Sequence, residues 1–160
     1  MNIFKPLLIV HIIGGGLSLV LGAYILLVRK GGKKHRLVGN MYFISMLTAS
    51  LVALPMSYIH PNYFLFIIGV FTSYMLISGK RYQAKKMLED VTTVDWLLTI
   101  VMLIFGLLFI GFGSFNIYKG AYFGIVFLVF GSISLLFVYQ DKINFTGKSA
   151  IKNYGLTTHL

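Results

Sequence analysis

The stretch that decides the fold, residues 11–39, reads HIIGGGLSLVLGAYILLVRKGGKKHRLVG. Its first part is apolar and, with the apolar residues before it, is long enough to form a helix that crosses a bilayer. A basic run from Arg29 to Arg36 follows, in which Gly31 and Gly32 supply a turn. Apolar residues then resume. The pattern predicts two membrane helices joined by a short, strongly basic connection.

Composition extends this interpretation to the whole chain. Of its 160 residues, 58% are hydrophobic, 11% are charged and none is cysteine. A soluble domain carries about 25% charged residues, so the polar side chains here are too few to cover a water-facing surface. The sequence therefore predicts one all-α, polytopic membrane domain over residues 1–160. The lack of cysteine excludes disulfide scaffolds, thiolate metal sites and iron–sulfur clusters.

Hydrophobic runs predict about five transmembrane helices, over residues 6–28, 37–59, 63–78, 96–118 and 121–139. Residues 80–90 have a helix-forming composition, so an extension of the third helix beyond the membrane is an alternative to a loop there. Asp95, directly before the fourth run, is predicted to be its N-cap. The residues from Gln140 onward are predicted to form a polar tail.

The distribution of basic residues predicts how the chain crosses the membrane. All of the fourteen Lys and Arg residues except Lys5 and Lys119 fall on one side of these five helices. The positive-inside rule places that side in the cytoplasm, so the N-terminus is outside and the C-terminal tail is cytoplasmic. We expect a multi-pass protein of the inner (cytoplasmic) membrane. We therefore expect the basic residues behind the net charge of +10 to contact anionic lipid head groups and not nucleic acid.

His11 lies about two turns into the first helix, where polar residues are costly and tend to face the interior of a helix bundle. Gly15, Ser18 and Gly22 follow it at positions i+4, i+7 and i+11, on one stripe of the helix. A histidine at the end of such a groove suits a haem b ligand, because its nitrogen has no bulk beneath it. The alternative is a histidine bonded to a neighbouring helix, with the small residues as helix packing.

A second set of polar residues is expected at the cytoplasmic side. His35 and His159 form a candidate pair of haem ligands there, since histidine binds metal and titrates near neutral pH. Arg36 with Asp95 or Asp141 forms a candidate polar cluster with an ion pair. The alternative is that all of them are boundary residues in water or against lipid phosphates.

Glycines recur at heptad spacing in the last two helices, at Gly106 and Gly113 and again at Gly124 and Gly131. Small residues at such intervals let helices approach closely. We expect these faces to pack two helices of one chain, or two copies of the chain in a homo-oligomer. Gly120 is expected to extend the second row.

Several of these residues occur in an order that resembles a known family. His11 precedes small residues and Gly22, Lys30-Gly31 and His35-Arg36-Leu37-Val38-Gly39 follow with Tyr42, and Asp141 ends a later glycine-bearing helix before Thr158-His159-Leu160. This order resembles the uncharacterised bacterial membrane-protein family called domain of unknown function 2306. The resemblance implies the membrane class and the topology. Because the family's closing histidine opens a further helix, it also implies that this chain is truncated.

Three functions remain open from the sequence. The first is a structural or accessory membrane protein without catalysis, which the lack of catalytic motifs favours. The second is a b-type haem or quinone-linked redox module that uses the membrane histidines. The third is a small transporter or channel, which is disfavoured because His11 is the one obvious ionisable residue of the membrane interior and ion pathways usually contain several.

Overall fold

The computed structural model describes residues 3–84 and 90–146. Within that part of the chain the backbone forms five α-helices and no strand. In order, they are α1 (Phe4–Leu27), α2 (Lys33–Ile59), α3 (Tyr63–Ala84), α4 (Thr93–Tyr118) and α5 (Gly124–Phe145). Each is long and apolar enough to cross a membrane. The prediction of an all-α, multi-pass membrane protein is confirmed.

Several helices extend beyond the apolar runs that predicted them. α2 begins at Lys33 instead of residue 37, and α3 continues to Ala84 instead of ending at residue 78. α5 runs from Gly124 to Phe145 instead of from residue 121 to residue 139. Hydropathy marks only the part of a helix that suits hydrocarbon, whereas Lys, Arg and Gln are good helix formers that continue the backbone hydrogen bonds beyond it. Asp141 consequently lies within α5 and not in a tail.

The prediction of Asp95 as the N-cap of α4 is wrong, because Thr92 takes that position. Asp95 is the third residue of the helix and completes a capping box with Thr92. Its Oδ2 accepts a hydrogen bond from the backbone N–H of Thr92 over 2.8 Å. Both residue types suit a helix start, and the reciprocal bonds of the box favour the pair over a lone aspartate cap.

Contacts divide the chain into two compact units, Met1–Ser73 (unit 1) and Tyr74–Leu160 (unit 2). In unit 1, α1 packs against α2. Gly14 allows this approach, since a β-carbon there would lie 3.0 Å from the carbonyl oxygen of Ser45. The turn between the two helices contains Gly31 at φ +80°, a backbone conformation that glycine adopts without steric cost.

In unit 2, the heptad glycines pack α4 against α5, as the sequence predicted. A β-carbon on Gly113 would lie 2.8 Å from the carbonyl oxygen of Gly124, and one on Gly131 would lie 3.0 Å from that of Gly106. Distances this short leave no room for a side chain. Gly120 is an exception to the prediction, because it lies in the turn between the helices at φ +79°.

Candidate functional site

Unit 1 contains a cavity of about 470 Å³ along one side of α1. Its lining is formed mostly by apolar and small side chains from α1, α2 and α3. The lining residues are His11, Gly15, Ser18, Leu19, Gly22, Ala23, Tyr42, Met46, Ala49, Ser50, Ile68, Gly69 and Thr72. The four residues of the stripe predicted on α1, namely His11, Gly15, Ser18 and Gly22, therefore line one cavity.

His11 is the cavity's titratable nitrogen group, and its ring is held by the neighbouring helix. Nδ1 of His11 lies 2.9 Å from the backbone carbonyl oxygen of Ala49 on α2. A carbonyl oxygen can only accept, so Nδ1 carries the proton in this bond. In a neutral imidazole the other nitrogen, Nε2, is then an acceptor with a free lone pair.

The small residues of the stripe have different surroundings. At Gly15 a β-carbon would meet nothing within 4 Å, whereas at Gly22 it would lie 3.2 Å from the ring of Tyr42. The hydroxyl of Ser18 donates to the carbonyl of Gly15 over 2.8 Å and lies 3.2 Å from the sulfur of Met46. Gly15 thus leaves space in the cavity, while Gly22 serves close packing.

The cavity extends to the outer surface of unit 1. Leu19, one of the lining residues, is 76% exposed. It lies near the middle of α1 (Phe4–Leu27). Since α1 is long and apolar enough to cross a membrane, this exposed side chain would lie at the depth of the hydrocarbon layer.

The other two histidines in the described part of the chain, His35 and His60, do not line this cavity. His35 lies in the first turn of α2, and its buried Nδ1 has no hydrogen-bond partner among the described residues. His60 follows the end of α2 and packs its ring edge-on against Phe4, with 4.1 Å between ring centroids. His159 lies outside the described residues, so the predicted pairing of His35 with His159 stays a prediction.

Unit 2 contains a buried polar cluster around Asp141, which is 5% exposed. The hydroxyls of Tyr74 and Thr99 donate to its Oδ2 over 2.5 and 2.7 Å. The hydroxyl of Tyr82 donates to Oδ1 over 2.5 Å, and the Asn144 amide lies 3.5 Å from that hydroxyl. Three hydroxyl donors thus give both oxygens of this carboxyl group a hydrogen-bond partner. The cluster fastens α3, α4 and α5 within unit 2.

Asp95, the other acid of the predicted cytoplasmic cluster, forms an ion pair with Arg81. Nε of Arg81 donates to Oδ1 over 2.6 Å, and Nη2 donates to Oδ2 over 3.1 Å. The hydroxyl of Thr99 also lies 3.0 Å from the backbone carbonyl oxygen of Asp95, so it lies between this pair and the Asp141 cluster. Arg36, which was predicted as the partner of these acids, belongs to unit 1; the ion pair of Asp95 is with Arg81.

Four residues of these polar groups in unit 2 were not predicted from the sequence: Arg81, Tyr74, Tyr82 and Thr99. A signal existed for three of them. Tyr74 and Tyr82 are eight positions apart and so share one face of a helix. Thr99 follows Asp95 by one helical turn, so these two residues also share one face of a helix. The predicted membrane span ended at residue 78, so Arg81 and Tyr82 fell in the stretch where the sequence offered an extension of the third helix as one alternative and a loop as the other.

Comparisons with known proteins add no relative. A scan against protein-family models found no match, and searches of curated proteins and of solved structures also found none.

Proposed function

We propose that this multi-pass membrane protein binds a lipophilic small molecule in the cavity of unit 1, with His11 as the polar anchor. The cavity itself is the observation that carries the proposal. Its volume of about 470 Å³ falls within the range of about 300–1,000 Å³ that is typical of small-molecule sites. Its mostly apolar lining with a few polar groups is also the composition of such sites.

The space at Gly15 supports ligand binding over helix packing at this part of the stripe. One residue earlier, Gly14 meets α2 so closely that a β-carbon would lie 3.0 Å from a backbone oxygen. At Gly15 the same addition meets nothing within 4 Å. The cavity beside this packed contact reaches the exposed Leu19, so it has both the space and the access that another molecule needs.

The opening at Leu19 supports a lipophilic ligand. A molecule that enters near the middle of α1 arrives from the hydrocarbon layer and not from water. It must therefore partition into the membrane, as quinones, isoprenoids and lipid chains do. This proposal narrows the accessory role predicted from the sequence to a ligand-binding one, in the cytoplasmic membrane that the basic loops favour.

A b-type haem is the second candidate, and the bond from His11 to Ala49 favours it. Metal-binding histidines commonly donate their other ring N–H to a backbone carbonyl, which orients the ring and directs Nε2 at the metal. Among the described residues that line the cavity, the second axial donor would be the sulfur of Met46, and histidine–methionine pairs do hold haem. An absorption spectrum of oxidised and dithionite-reduced protein tests this candidate, which requires a Soret band that is lost in His11→Ala.

The main proposal is tested by the lipid content of the purified protein. Protein is extracted in mild detergent, and its bound lipophiles are identified by mass spectrometry for the wild type, Gly15→Leu and Gly16→Leu. The leucine at position 15 fills the cavity. Gly16 is the matched control, because it too meets nothing within 4 Å but is exposed and does not line the cavity.

We expect a bound lipophile that Gly15→Leu loses and Gly16→Leu retains. Equal lipid content in all three proteins would overturn the proposal. A coloured wild type with a haem spectrum would replace the main proposal by the second candidate.

A further inference from the structure

We infer that the ligand of the unit 1 cavity is a lipophilic hydroquinone, bound through a hydroxyl that donates to Nε2 of His11. This inference rests on the proposed function and adds the chemical class of the ligand. It follows from the hydrogen bonds that the histidine and the serines of the cavity already donate within the protein.

The hydrogen bond to Ala49 decides which ring nitrogen of His11 is free to accept from a ligand. The carbonyl of Ala49 accepts from Nδ1 of His11, which leaves Nε2 as an acceptor in the neutral ring. No bond to Nε2 occurs within the described part of the chain. His11 therefore offers a ligand a lone pair and not a hydrogen.

The serine hydroxyls of the cavity are committed in the same way. Ser18 directs its hydrogen to the carbonyl of Gly15 or the sulfur of Met46. Ser50 donates to the carbonyl of Leu47 over 3.0 Å and accepts from Ser73 over 3.0 Å. These groups have no spare hydrogen to give to a ligand. A ligand placed between His11 and Ser18 is therefore best matched when it supplies the hydrogen itself.

The shape of the site favours a flat ring with a long apolar tail. Gly15, one turn from His11, leaves a surface without a side chain against which a ring can lie. From His11 to Gly22 the stripe extends along α1 by about 16 Å, at a rise of about 1.5 Å per residue. A ring beside His11 thus leaves space for a tail along Ser18 and Leu19 toward the opening. Tyr42 and Thr72 also line the cavity, and their hydroxyls can serve the second oxygen of the ring.

The experiment compares three probes that carry the same tail: decylhydroquinone, its dimethyl ether and decylbenzoquinone. The hydroquinone can donate, while the other two can only accept. Binding to the full chain in nanodiscs is measured under anaerobic conditions by microscale thermophoresis. We expect the hydroquinone to bind about tenfold more tightly than either other probe, as one additional hydrogen bond allows.

Two variants at position 11 separate the ligand bond from the fold. In His11→Asn the side-chain amide can still donate to Ala49, but nothing replaces Nε2, so the preference for the hydroquinone should disappear. In His11→Gln the longer amide reaches the position of Nε2 and can accept, so part of the preference should return. Thermal unfolding of both variants reports whether the fold is kept.

Each remaining outcome has a distinct meaning. Equal binding of the three probes, blocked by Gly15→Leu, would overturn the hydroquinone assignment and leave the ligand site in place. Tighter binding of the benzoquinone would overturn the assignment as well, because the hydroxyls of Tyr42 and Thr72, and not Nε2 of His11, would then decide which probe binds best. Binding of no probe would also overturn it, and the lipid content of the purified protein would then decide the proposed function separately.

Discussion

The hydroxyl of Tyr82 on α3 donates to Oδ1 of Asp141 on α5, with 2.5 Å between the two oxygens. Both residues are buried, at 8% and 5% exposure. The other carboxylate oxygen accepts from Tyr74 and Thr99. Three hydroxyls thus replace the water that a buried carboxylate loses, which removes the main cost of burying it.

Removing one of these hydroxyls should destabilise the protein. In Tyr82→Phe the ring can still stack on Phe145, but Asp141 loses a donor, and a bond to a charged group contributes about 1.5–3 kcal/mol. Tyr139→Phe is the matched control, because Tyr139 is 63% exposed. Thermal unfolding in detergent should show a lower midpoint for Tyr82→Phe alone. Equal midpoints for the two variants would mean that the bond contributes nothing to stability.

The start of α4 should depend on Thr92. Its side chain accepts from the backbone of Asp95 in the capping box, and Nη2 of Arg81 donates to its Oγ1 over 2.6 Å. We expect Thr92→Ala to lower the free energy of unfolding by about 1–2 kcal/mol, which is the cost of losing an N-cap. Thr93→Ala, at the next and exposed position, should change it much less. A larger effect at position 93 would contradict the assigned cap.

The contact between α4 and α5 should not tolerate a methyl group at Gly113. Its β-carbon would lie 2.8 Å from the carbonyl oxygen of Gly124 and 2.9 Å from the β-carbon of Phe127. Gly113→Ala should therefore separate the two helices and cost about 1–3 kcal/mol. In Gly111→Ala, where nothing lies within 4 Å, alanine should be neutral or stabilising, since it favours a helix interior over glycine. Comparing their unfolding in detergent tests the contact, and a stable Gly113→Ala would refute it.

The predicted orientation is tested by cysteine labelling, since the chain has no cysteine of its own. Lys33 and Pro61 are exposed and mark the two ends of α2: Lys33 is its first residue, and Pro61 follows its C-cap. A membrane-impermeant thiol reagent added to intact cells should label Pro61→Cys, and it should label Lys33→Cys only after the cells are opened. Labelling of both in intact cells would exclude α2 as a membrane-spanning helix. The reverse pattern would keep the span and invert the orientation.

Some of these features follow from local pattern alone. The five apolar runs predicted five helices, because a membrane demands about 20 apolar residues per span. The stripe of His11, Gly15, Ser18 and Gly22 was predicted to share one face, because helical periodicity decides which residues are neighbours on a helix. The heptad glycines of α4 and α5 were identified as packing residues for the same reason. The orientation and the family resemblance stay predictions.

Other features depend on which helices meet, which no local pattern contains. The sequence offered Arg36 as a partner for the acids, but Asp95 pairs with Arg81, and Asp141 accepts from three hydroxyls on two other helices. Likewise, Gly14 and Gly15 are equivalent in sequence, and only the approach of α2 makes one a contact and the other an open surface.

The sequence by itself determined the class of protein, the number of helices and the polar stripe of α1. Hydrophobicity and helical period are properties of consecutive residues, and consecutive residues are what a sequence shows. Only the tertiary structure decided that the stripe lines a cavity, that Ala49 holds His11 with Nε2 free, and that hydroxyls surround Asp141. Such pairings join residues far apart in the chain, and they are selected by packing and by the cost of leaving buried polar groups without partners.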